Sequence, residues 1–162
     1  MNYVKSTAEI LAFKTLNRNV NNVWINWAVE MLMEGFNSQS LLFLAGENEK
    51  SNQFELQRLA ENTLKELGLD YSNEDKVIKK YVCYLLDEAI TGNKTFKSVL
   101  SSLKELYYEV QNDSLLLDFY LLYFAHEDLE FDTIQNYWDN ATRENIDQVT
   151  KEFFIKRKSE CI

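Results

Sequence analysis

Residues 113–147 read DSLLLDFYLLYFAHEDLEFDTIQNYWDNATRENID, and the two parts of this stretch have opposite character. From Leu115 to Ala125 every residue except Asp118 is apolar or aromatic, which predicts a buried central helix. From Glu127 to Asp147 acids are mixed with large aromatics, which predicts an exposed, adhesive, negatively charged surface. Residues 113–147 hold nine acids against one base, Arg143, a net charge of −8 within a chain whose total is −9.

The rest of the chain is punctuated as a series of helices. There is no proline and there are four glycines in 162 residues, so the two strongest helix breakers are nearly absent. Ser6 and Glu9 have capping-box spacing ahead of Ile10, Leu11, Phe13 and Leu16. Val20, Val23, Trp24, Trp27, Ala28, Met31 and Leu32 keep the i, i+3/i+4 rhythm of a helix from about 20 to 34, ended by Gly35. Gln39 to Ala45 forms a short apolar helix ended by Gly46. Leu56, Leu59, Ala60, Leu64 and Leu67 line the next, closed by Gly68.

Ser72 with Asp75 predicts the cap of another helix, using Ile78, Tyr81, Val82, Leu85, Ala89 and Ile90 and stopping at Gly92. Thr95 caps a stripe of Phe96, Val99, Leu100, Leu103, Leu106, Tyr107 and Val110, and Asn112, Asp113 and Ser114 are turn or cap residues. A less regular stretch spans Glu130 to Ala141. Thr142 is read as the cap of a last helix bearing Ile146, Val149, Phe153 and Phe154. All four glycines fall just past a helix end, where a left-handed residue is expected.

No window shows sustained strand alternation. The expected fold is all-α: about eight helices in one domain, residues 1–162, packed as antiparallel pairs. LLFLAGE at 41–47 echoes LLYFAHE at 121–127, which permits a short helical-repeat layout without establishing one.

Composition narrows function by exclusion. An acidic chain lacks the basic footprint that a nucleic-acid binder needs, but suits a protein that meets a basic partner. Two cysteines, Cys83 and Cys161, are too few for a disulfide framework. MNYVKSTAEI lacks a signal-peptide pattern, and no apolar run reaches the ~20 residues that cross a bilayer. A reduced cytoplasm is the expected compartment, with no membrane association.

No catalytic constellation emerges. His126 is the sole histidine; HEDLE puts Glu130 on its helix face, but HExxH and paired Glu-x-x-His sites need further histidines, so a structural or interface role is expected. Cys83 shares a flank with Lys76, Lys79 and Lys80, which can lower a thiol pKa, yet no base is nearby in sequence, so it reads as an ordinary helix cysteine. The acids fit no calcium-loop spacing. A solvated face is the ordinary meaning of such a run. The interleaved aromatics point instead to a partner site comprising Glu127, Asp128, Glu130, Phe131, Asp132, Tyr137, Trp138, Asp139 and Glu144, with rings as anchors and charges for steering. Trp138 is the expected principal anchor. Trp24 and Trp27, in a helical stripe, read as core.

Three stretches, VWINWAVEMLMEGFNSQSLLFLAGE (23–47), LLLDFYLLYFAHEDLEF (115–131) and NYWDNATRENIDQVTKEFF (136–154), together resemble small all-helical bacterial immunity proteins, including those of contact-dependent inhibition systems. The resemblance implies a protein that binds one cognate toxin domain, often a basic nuclease, and blocks its active site, with no catalytic residue and no cofactor. A helical adaptor for some other protein partner would use the same acidic surface, and an enzyme using the acids or Cys83 is the third possibility.

Overall fold

The computed structural model describes residues 2–111 and 113–161, so Asn112, read as a turn residue, lies outside the described residues. These residues form eight α-helices and no strand: α1 (Thr7–Thr15), α2 (Asn22–Met33), α3 (Gln39–Ala45), α4 (Gln53–Glu66), α5 (Glu74–Ile90), α6 (Phe96–Glu109), α7 (Ser114–Phe131) and α8 (Ile146–Ser159). The chain divides into two compact units, Met1–Tyr84 and Leu85–Ile162, with the division inside α5.

In the first unit, consecutive helices pack on one another, α1 on α2, α2 on α3 and α3 on α4. Trp24 and Trp27 lie in the core as expected, edge to face with centroids 6.1 Å apart. The Trp27 indole donates to Thr7 Oγ1 at 3.0 Å, which ties α2 to α1. Gln53, the first residue of α4, replaces missing backbone partners of the loop before α2: it accepts from the Val20 N–H and donates to the Val20 carbonyl.

Several local expectations are corrected. Ser6 makes no cap hydrogen bond; its hydroxyl donates to Glu30 on α2 instead, so the capping-box spacing is not used. Asn73, not Ser72, accepts the Lys76 N–H at the start of α5. Gly35, Gly68 and Gly92 take positive φ as predicted, but Gly46 is right-handed and Asn17, Gln111 and Asn140 supply further left-handed positions. The 41–47 and 121–127 echo falls on a seven-residue helix in one unit and the middle of an eighteen-residue helix in the other. Neither cysteine is a free thiol, so Cys83 is not the ordinary helix cysteine read from sequence.

The second unit carries the acidic segment. Thr95 caps α6 as its sequence predicts, accepting from the Ser98 N–H. Asp113 caps α7, and α6 packs along α7. Helix α7 is not buried on all sides. Leu116, Phe119, Leu122, Ala125 and Leu129 form its buried line at i, i+3/i+4 spacing, while Tyr120, Tyr123, Phe124 and Glu127 stay half-exposed and Leu117 is exposed. Phe119 meets Phe153 and Phe154 of α8 at 5.2 and 5.7 Å, and these rings form the centre of the unit.

Candidate partner-binding surface

Helix α7 runs to Phe131, so Glu127, Asp128, Glu130 and Phe131 are displayed on a helix, whereas Asp132, Tyr137, Trp138, Asp139 and Glu144 lie on the connection to α8. That connection is held by its own side chains. Gln135 Oε1 accepts from the Tyr137 and Trp138 N–H groups, both at 2.8 Å, and its amide nitrogen donates to the Trp138 and Ala141 carbonyls. Asn145 Oδ1 accepts from the Thr142 N–H at 2.7 Å, and its amide donates to the Asn140 carbonyl. Arg143 Nε donates to the Leu129 carbonyl at 2.7 Å, which satisfies an acceptor in the last turn of α7. Thr142 therefore sits in a turn closed by Asn145, and α8 begins at Ile146 without a side-chain cap, contrary to the cap read from sequence.

On this ordered connection the side chains separate. Phe131 is 84% exposed and Ile134 67%, the two most exposed large apolar residues among the described residues of the second unit. Tyr137 is exposed at its rim and tilts against Phe124, 5.6 Å away. Trp138 turns the other way: it is half-buried, edge-on to Phe153 at 5.0 Å. Its ring packs on α8 and not in open solvent. Glu130, Asp132, Asp139 and Glu144 are exposed, and Glu127 and Asp128 are half-exposed. Glu130 pairs with Lys97, whose ammonium is held above the usual lysine range first by that hydrogen bond. Glu127 accepts from the Tyr123 hydroxyl at 3.2 Å. Ile134 escaped sequence reasoning because a single isoleucine among polar residues carries no periodic signal.

His126 pins α7 to α8. Its Nε2 lies 2.6 Å from Thr150 Oγ1, and that hydroxyl donates to the Ile146 carbonyl. The hydroxyl proton being committed, Nε2–H is the donor to Thr150. Burial holds the imidazole below its ordinary pKa, with Lys97 pushing the same way and Asp147 and Glu130 opposing. Beside it is a cleft of about 370 Å³ lined by Lys97, His126, Glu130, Arg143 and Asp147 over Leu129. Lys97 and Glu130 are spent on each other, His126 on Thr150, and Arg143 Nε on a helix carbonyl. No group of three or more metal-ligating side chains occurs among the described residues.

A second half-exposed feature runs along α6 and α7. Tyr107 and Tyr108 meet Tyr120 at 4.7 and 5.7 Å, Tyr120 meets Phe124 at 4.9 Å, and Phe124 meets Tyr123 and Tyr137. The Tyr108 hydroxyl is pushed to higher pKa, first by its hydrogen bond with Tyr120. Comparison with known proteins finds no matching family, curated protein or solved structure. Among the described residues, no helix is long and apolar enough to cross a membrane.

Proposed function

We propose that this chain is an immunity protein that binds and neutralises a basic nuclease toxin domain through the face formed by residues 127–147. The observation that carries the reading is the pairing of exposed Phe131 and Ile134 with the acids around them, on a connection fixed by the amides of Gln135 and Asn145. Large apolar side chains this exposed mark contact surfaces. Ordering the loop before binding lowers the entropy that association must overcome. Nucleases hold phosphates in basic clefts, and a face of net charge −6 over 127–147, seven acids against Arg143, complements such a cleft and accelerates encounter with it. The toxin class comes from the resemblance of 23–47, 115–131 and 136–154 to immunity proteins. In this reading the chain blocks its partner without a catalytic step or cofactor, Phe131 and Ile134 are the contact anchors, and Trp138 holds the segment in place.

A helical adaptor is the second reading. It is favoured by exposed apolar side chains in the first unit, Met33 at 81%, Phe54 at 75% and Phe43 at 58%, which would give the chain another contact surface. Tagged protein co-expressed with the protein encoded beside it separates the two. Co-elution with a nuclease whose activity is lost on binding supports neutralisation. Stable capture of a non-nuclease partner, with the neighbouring protein left behind, supports the adaptor and overturns the first reading.

A further inference from the structure

Tyr108, Tyr120, Phe124 and Tyr137 form a chain of touching rings from the C-terminal end of α6, across α7, to the acidic connection. Tyr108 and Tyr137 are exposed, and Tyr120 and Phe124 are half-exposed. This is unlike an ordinary core cluster: three of the four carry hydroxyls, and phenols are favoured where one edge stays wet. Acids accompany the strip. Glu105 precedes Tyr108 by one helical turn on α6, Glu127 accepts from Tyr123 beside Phe124, and Asp139 follows Tyr137 by two residues. The chain also places a cation of its own on this face. The Lys104 ammonium lies 4.3 Å from the Tyr123 ring centroid while paired with Glu105 at 3.0 Å. One cation thus sits between a ring and a carboxylate, an arrangement that electron-rich ring faces beside acids favour.

We propose that the Tyr108–Tyr120–Phe124–Tyr137 strip is a docking surface for arginine and lysine side chains of a basic protein partner, which stack on its rings while their charges meet the neighbouring acids. The proposal rests on the reading of residues 127–147 as the partner surface, which it extends through Tyr137 onto α7 and α6. Charge complementarity selects a basic occupant. The rings add what acids alone lack, a preference for cations that are flat and weakly hydrated, so guanidinium is favoured over ammonium.

The test uses the full chain with ¹³C-labelled tyrosine rings, titrated with acetylated, amidated tetra-arginine and with the uncharged tetra-citrulline counterpart, and followed by NMR. The ring signals of Tyr108, Tyr120 and Tyr137 are expected to shift saturably with arginine and not with citrulline. Each exposed cation–ring contact is worth about 2- to 5-fold in affinity. Tyr108→Leu with Tyr137→Leu should therefore weaken binding roughly 5- to 25-fold, while the two Phe replacements stay within about twofold. The Phe pair shows whether the Leu pair has lost ring chemistry or fold. Equal shifts with citrulline, or shifts confined to backbone amides of 128–139 with unmoved rings, overturn the proposal. A neighbouring protein that proves not to be a nuclease would remove the toxin reading without touching this titration.

Discussion

Replacing Trp138 by alanine separates a packed indole from a free one. Complete loss of a core aromatic costs about 3–5 kcal/mol. Trp138 keeps part of its surface in water, so about 2–3 kcal/mol is expected, of which the edge-on contact with Phe153 supplies about 0.5–1.5. A chain of this length loses roughly 2–4 °C of melting temperature per kcal/mol, so Trp138→Ala should melt about 4–12 °C below wild type. Far-UV circular dichroism during a thermal ramp measures this directly. Trp138→Phe, which keeps a ring against Phe153, should recover much of the loss. If Trp138→Ala melts within about 1 °C of wild type, the ring is not anchoring the connection to α8, and the role of Trp138 in holding that segment in place is refuted.

Phe131→Ala with Ile134→Ser should leave the melting temperature nearly unchanged, because both side chains already face solvent; a loss above about 1 kcal/mol would show that they are buried. Burial favours neutral His126 in the folded state, so its contribution to stability is complete above about pH 6.5 and is lost as pH falls from there through the lower folded value. Denaturant midpoints between pH 7 and 5 should decline in wild type and decline less in His126→Gln; parallel slopes would sink this assignment. Gln135→Ala removes the acceptor of two backbone N–H groups, so amide exchange at Tyr137 and Trp138 should speed up about tenfold or more, and unchanged rates would mean that the connection is ordered by other contacts.

Helix content was legible because stripes and stops agreed: Thr95 caps α6, and Gly35, Gly68 and Gly92 take the positive φ that a helix end requires. The errors have tertiary causes. Ser6 had the right spacing to cap α1, but Glu30, 24 residues away, takes its hydroxyl. Gly46 follows α3 with right-handed backbone, so its position was readable but its conformation was not. The run from Leu115 to Ala125 has only Asp118, near its start, to show which face turns outward. The tyrosines on it were the available signal, since a phenol in a fully buried line needs a partner for its hydroxyl. In the candidate surface, Glu130, Asp132, Asp139 and Glu144 were readable as exposed, but Tyr137 and Trp138 are neighbours whose rings pack on different helices, Tyr137 on Phe124 and Trp138 on Phe153, which no local pattern signals.

The central claim is that the acids of 127–147 guide a basic partner onto this face. Stopped-flow association with a basic nuclease domain captured as the chain's partner, at low and high salt, measures it most directly. Exposed charges are screened beyond ~8 Å at physiological ionic strength, so the wild-type on-rate should fall steeply as salt rises. Reversal of Asp128, Asp132 and Asp139 to Lys should slow association more than it speeds dissociation and flatten the salt dependence. An on-rate indifferent both to salt and to the three reversals would contradict the account.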